Sequence, residues 1–191
     1  MLDVAKKYEA EIQQKYYDTW FDLKYQYYRD SIGDRIPQFG DNCYERRDFA
    51  CIDPKDNHVI GYISYSFSES SSSAYNFGII SFEPSNPIFG RDVLQVMSDI
   101  FFKFHLNRVE FRFYSDNPAS IGYRYFIKRF GGREVGYLTN VSRLADNELH
   151  NVTIFEILRS NLKWRWFDHA VITPELAYRT GRGEQESVLV K

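Results

Sequence analysis

Residues 106–136 read LNRVEFRFYSDNPASIGYRYFIKRFGGREVG, and this stretch decides the fold. Val109, Phe111 and Phe113 alternate with Glu110 and Arg112, the period-two pattern of a strand with one buried face. The strand runs into Asn117-Pro118, residues 120–130 follow as a helix, and Gly131-Gly132 ends that helix before a further strand.

Outward from this segment the same patterns recur. Upstream, Phe89, Val93, Val96, Ile100 and Phe104 keep helical spacing and predict one face packed on a sheet. Residues 49–53 and 59–66 predict a hairpin around Pro54-Lys55-Asp56-Asn57. The polar run 68–73 is a loop, with strand-forming sequence resuming over 75–82. At the N-terminus Asp3 is a plausible N-cap, and Val4, Tyr8, Ile12, Trp20, Leu23 and Tyr27 mark a helical face broken near residues 18–22. Downstream, 134–141 and 149–157 predict two closing strands. The expected order is helix, three strands, helix, strand, helix, two strands: an α+β fold with a mixed, twisted central sheet flanked by helices.

A chain of 191 residues supports one substantial core, and we expect one domain over 1–170 with a C-terminal extension over 171–191. In that C-terminal region Trp164, Trp166 and Phe167 are expected to pack down. The net charge of -2 gives no electrostatic reason for binding nucleic acid or an anionic membrane. Two cysteines, Cys43 and Cys51, are too few for a disulfide framework and lack metal-ligand spacing, so they read as buried thiols and the compartment as cytoplasmic. His58, His105, His150 and His169 are scattered and read as surface or strand-margin residues; no metal is implied. The chain holds 15 Tyr, 16 Phe and 3 Trp, enough to line a groove as well as a core. Tyr16, Tyr17, Tyr25, Tyr27 and Tyr28 form such a face.

Across residues 20–158 the sequence resembles the GCN5-related N-acetyltransferases, and within them the ribosomal-protein acetyltransferase branch. The resemblance is carried by Leu106-Asn107-Arg108-Val109-Glu110, by Asn117-Pro118-Ala119-Ser120-Ile121, by DNELHNVTIFEIL at 146–158, and by Thr19-Trp20-Phe21-Asp22. It implies acetyl-CoA as acetyl donor and direct attack by a primary amine, on a small molecule or a protein N-terminus. It also implies that the fourth strand splays from the fifth. Backbone groups at Ile79, Ile80, Ser81 and Phe82 would then bond the pantetheine arm like an added strand.

The cofactor diphosphate is implied at the start of the next helix, where unpaired N–H groups and the helix dipole favour anions. Gly90 matches the first motif glycine there, and Arg91 is a phosphate partner. Pro87 stands where the family has Arg or Gln, and Asp92 stands at a small position, where an inward carboxylate would repel phosphate. Asn117 is implied to bond the cofactor, or else shapes its turn. Ser120 is a proton donor by resemblance, or a helix cap by its position. Tyr123 and Tyr125 compete for the donor role against simple packing, and Ile127 occupies the position where relatives commonly carry tyrosine. Glu83 is a base near the fourth strand's end, or a solvated loop carboxylate. A catalytically impaired binding module, an enzyme for longer acyl-CoA, and a homodimer through aromatic residues of the extension stand as alternatives.

Overall fold

A computed structural model describes residues 1–28, 36, 37, 39 and 45–163. Cys43, His169 and the expected packing of Trp164, Trp166 and Phe167 lie outside those residues, as does the extension from 171 onward. The chain order is β1 (Leu2–Val4), α1 (Glu9–Asp18), a 3-10 segment (Leu23–Tyr28), β2 (Arg46–Ile52), β3 (Val59–Ser68), β4 (Ser73–Ser81), α2 (Pro87–Ser98), β5 (Arg108–Tyr114), α3 (Ser120–Arg129), β6 (Arg133–Arg143) and β7 (Leu149–Leu158). Among the described residues no helix is long and apolar enough to cross a membrane.

The strands form one mixed sheet in the order β1-β2-β3-β4-β5-β7-β6. Every neighbouring pair is antiparallel except β4 and β5. That parallel pair has only two register positions, Ser73 with Arg108 and Ala74 with Val109. Beyond them β4 stays with β3 as far as Ser81 opposite Gly61, while β5 stays with β7 as far as Tyr114 opposite Val152. The sheet therefore forks. At the fork Asn76 takes a positive φ of 50°, and the β3–β4 register shifts between Ser64 and Ser66. An irregularity of this kind bends and twists the strand that carries it.

Two main cores hold the forked sheet, one on each face, and a small third cluster joins Tyr114, Leu144 and Val152. The larger joins Ile63, Tyr65, Val109 and Phe111 to a stripe of Val93, Val96 and Met97 of α2 and Ile100 in the π-helical turn that follows, to Ile127 of α3 and to Phe130 just after it. Full burial of side chains such as Met97 or Ile100 contributes about 1.5–3 kcal/mol each. Phe89 and Phe104, expected on the same stripe, are only partly buried at its ends. The second core packs Ala5, Ile12 and Tyr25 on Ala50, Ile52, Tyr62 and Ile80. The expectation of an N-cap at Asp3 is corrected: Asp3 pairs with Ala50 in the edge strand β1, and its carboxylate accepts from Val4 N at 2.7 Å and from Lys7. Leu2–Val4 is too short to show alternation, so no periodicity announces it.

At the end of α3, Gly131 has φ 90°, and an added Cβ would lie 2.0 Å from the Asn161 carbonyl oxygen. Gly122, in the first turn of the same helix, has no atom within 4 Å of its Cβ direction. Gly131→Ala should therefore lose at least about 2 kcal/mol from left-handed strain plus the backbone clash. Gly122→Ala should gain up to about 1 kcal/mol from helix propensity. Urea unfolding of the two variants beside the wild type measures both.

Candidate active site

The fork opens into a cleft of about 1530 Å³. This exceeds the roughly 300–1,000 Å³ of a typical small-molecule site, so it has room for a long ligand or for two. Asn76, Phe77, Gly78 and Ile79 form its β4 wall, and Phe111, Arg112, Phe113 and Tyr114 its β5 wall. Phe77 and Phe111 meet edge to face at 5.2 Å where the walls converge. The edge of β4 that turns away from β3 has no strand partner past Ala74 among the described residues.

Ile80, Ser81 and Phe82 lie one step further along β4 than the cleft lining. Ile80 is buried in the second core, Ser81 Oγ donates to the Glu83 carbonyl at 2.7 Å, and Phe82 meets Tyr16 at 5.8 Å. At the start of α2, Asn86 Oδ1 caps the N–H of Ile88 at 3.0 Å, and Pro87 occupies the first turn. Gly90 lines the cleft with open space where a Cβ would project. Arg91 is exposed and turns to Asp92 at 3.2 Å. Asp92 is only 3% exposed and also meets the Met1 ammonium at 3.0 Å. Its carboxylate is buried against these two cations and is not among the cleft-lining residues.

Asn117, buried beside the cleft, accepts from Ala119 N at 2.9 Å through Oδ1. The residue preceding α3 is Ala119, and no side chain of that residue or of Ser120 caps the helix. Asn117 thus does the local capping that its neighbour Ser120 was expected to do. Ser120 is buried, donates its N–H to the Asn117 carbonyl at 2.8 Å, and is not among the cleft-lining residues.

Tyr123 lines the cleft, with its ring 5.4 Å from that of Phe113. Burial pushes its phenol pKa up, and the Tyr28 hydroxyl, to which it is hydrogen-bonded, adds to the rise. The phenol is held neutral. Tyr125 points outward at 68% exposure, and Ile127 is in the core. Glu83 is hydrogen-bonded to His58 and accepts from Asn86 Nδ2 at 3.0 Å, and the His58 bond holds its carboxyl below the usual range. It does not line the cleft.

The opposite mouth is aromatic. Tyr16, Trp20, Tyr27, Tyr28 and Tyr62 line it, whereas Tyr25 is buried beneath and Tyr17 is 62% exposed. Arg46 adds a guanidinium, donating Nη2 to the Tyr62 hydroxyl at 2.9 Å and Nε to Asp48 at 2.9 Å. The Tyr62 hydroxyl in turn donates to Asp48. Burial, then the Asp48 charge, pushes the Tyr62 pKa up. Burial alone would lower the Arg46 pKa, yet Tyr62 and Asp48 outweigh it and hold the guanidinium charged. Sequence reasoning did not single out Arg46; its only signal is an arginine at i-2 from an aspartate at the head of a strand.

No protein-family model matches the chain, and no curated protein matches it in sequence. Solved structures do match its fold. A spermidine N-acetyltransferase from Vibrio cholerae, crystallised with CoA and spermine, superposes with TM-score 0.66 at 16% identity over 84% of this chain and 96% of that one. A GCN5-related N-acetyltransferase from Brucella melitensis gives TM-score 0.64 at 16% identity over 91% and 82%. A variant of the Vibrio enzyme gives 0.54 at 20% identity over 65% and 72%. The chain has the fold of the GCN5-related N-acetyltransferases.

The exchange of capping roles at α3 has a measurable consequence. Asn117→Ala should destabilise the protein by about 1 kcal/mol through the lost cap. Ser120→Ala, which removes no hydrogen-bonded oxygen, should stay within about 0.5 kcal/mol of the wild type. Urea midpoints at matched m-values separate the two.

Proposed function

We propose that the protein is an acetyl-CoA-dependent N-acetyltransferase acting on a primary amine by direct attack. The observation that carries this reading is the fork between β4 and β5, with its solvent-open wall over residues 76–79. The residues present suit the donor: an unpaired strand edge for the pantetheine amides, and an α2 start where Gly90 leaves space and Asp92 is buried in ion pairs with Arg91 and the Met1 ammonium. Bound acetyl-CoA would supply the activated acyl group and a thiolate leaving group. The finer likeness, to the ribosomal-protein branch, rests on Thr19-Trp20-Phe21-Asp22 and residues 146–158 and is part of the proposal.

The chain's own groups then divide the work. Tyr123 holds a neutral phenol in the cleft and is our assignment for the proton donor. Ser120, Tyr125 and Glu83 lie off the cleft lining and are not assigned chemistry. An amine can attack only in its neutral form. Desolvation between the aromatic walls and the like charge of Arg46 both disfavour the ammonium. Cation–π attraction opposes them, but at about 0.5–2 kcal/mol it is smaller than a desolvation effect that reaches several pKa units.

Saturating acetyl-CoA, at about 100 times its Kd, should add about 2.7 kcal/mol of stability and raise Tm by roughly 5–10 °C. Thiol release with a panel of primary amines should follow. Tyr123→Phe should lower kcat by about 10²- to 10⁴-fold while leaving the acetyl-CoA shift in place. Tyr125→Phe should match the wild type. No thermal shift at high acetyl-CoA would overturn the reading and favour a binding module of the same fold.

A further inference from the structure

His150 is at the head of β7, one of the two places its sequence context allows, a surface or a strand margin, and it is only 6% exposed. Its Nδ1 lies 2.6 Å from Asp116 Oδ2, and its Nε2 lies 3.0 Å from both oxygens of Asp146. A neutral imidazole carries one N–H and could satisfy only one of these carboxylates. The geometry is that of an imidazolium donating from both nitrogens.

The three residues come from separate parts of the chain. Asp116 sits in the β5–α3 loop beside Asn117, and Asp146 in the β6–β7 turn. Asp146 is also gripped by Gln26 of the 3-10 segment: Gln26 Nε2 donates to its Oδ2 at 2.9 Å, and its backbone N–H donates to Gln26 Oε1 at 3.1 Å. The next residue, Tyr27, stands edge-on to the His150 ring at 5.9 Å, and Tyr114 does the same from β5 at 6.1 Å. Tyr27, Tyr28 and Tyr114 all line the cleft. Among the described residues the charged groups bonded to His150 are Asp116 and Asp146; the rings of Tyr27 and Tyr114 stand edge-on to it, and Ser142 of β6 pairs with it across the sheet.

We infer that His150 is a positioning residue whose protonated ring clamps the Leu23–Tyr28 segment and the β5–α3 loop together, fixing the aromatic wall of the cleft and the Tyr28–Tyr123 contact. The inference rests on the acetyl-transfer reading only for what that wall receives. Protonation decides the clamp because loss of one proton leaves an aspartate facing a ring lone pair. Burial works against the charge, but Asp146 and Asp116 outweigh it and raise the His150 pKa above its ordinary 6.5. With a raised folded-state value, the clamp is complete below pH 6.5 and is lost as pH rises through that higher value.

Hydrogen exchange and ring NMR on the full chain test this. The His150 ring signal, assigned by its absence in His150→Gln, should titrate above the ordinary histidine value, and Asp116→Asn should lower its midpoint. Protection of the Leu23–Tyr28 amides, normalised to β3 amides of the same sample, should fall roughly tenfold as pH passes that midpoint. In Asp116→Asn the fall should move with the midpoint, and in His150→Gln protection should be low at every pH. Protection that ignores the midpoint, or is the same in His150→Gln as in the wild type, would overturn the clamp. If His150→Gln does not fold, Asp116→Asn carries the test, with the ring signal identified by its shift. An acetyl-CoA thermal shift measured in parallel separates the two ideas: without it acetyl transfer falls, while a midpoint-linked loss of protection still upholds the clamp.

Discussion

The separation of β4 from β5 after a two-residue parallel contact is the constraint on which the rest of the structure depends. A strand edge left unpaired in a dry interior would cost about 1–3 kcal/mol per orphaned group, so a fork of this kind must open to water or to a ligand. Here it opens to the cleft. The two half-sheets, β1 to β4 and β5 to β6, then hold together through what covers them. On one face α2 and α3 bridge the fork through an aromatic core that includes Phe77 and Phe111. On the other, the 3-10 segment packs Tyr25 on the β2–β3 side and reaches Asp146 and His150 on the β7 side through Gln26 and Tyr27.

Carboxylates near the cleft are committed to partners. Asp92 turns into the protein toward Arg91 and the Met1 ammonium, Glu83 is taken by His58 and Asn86, and Asp48 by Arg46 and Tyr62. An acidic group that faces its own cation presents little net charge to a ligand. The start of α2 is therefore free to act through its N–H groups and dipole, and at the aromatic mouth Arg46 offers hydrogen-bond donors, since its guanidinium carries five N–H groups and uses two of them on Asp48 and Tyr62.

The elements that periodicity can report were legible. The alternation Val109, Phe111, Phe113 and the stripe Val93, Val96, Ile100 record burial directly, and the structure follows them. β1 was not legible because three residues cannot display a period, and β2 begins earlier than expected because Arg46, Arg47 and Asp48 are polar residues on a strand that borders the cleft. The fork was read from resemblance, since Asn76 and its positive φ leave no mark in the pattern of apolar residues. His150 was invisible for a different reason. Asp116 lies 34 residues away, and Asp146 meets Gln26 across 120, so only the completed sheet brings the cluster together. At α3 the sequence offered Ser120 as the cap and Asn117 as a cofactor ligand or a turn residue, and in the structure it is the asparagine side chain that bonds the backbone ahead of the helix.

The Tyr28–Tyr123 hydrogen bond crosses the cleft between its two mouths, from the 3-10 segment to α3. A hydrogen bond of this kind contributes about 0.5–1.5 kcal/mol net. A hydrogen bond from the same phenol to an anionic sulfur is charge-assisted and roughly twice as strong. If Tyr123 serves as the proton donor we propose, it gains by exchanging Tyr28 for a developing thiolate. A proton donor kept in reserve by a weak partner stays neutral in the free protein. It is committed only when a stronger acceptor arrives, and this coupling needs the acceptor wall to be held within hydrogen-bonding reach of α3.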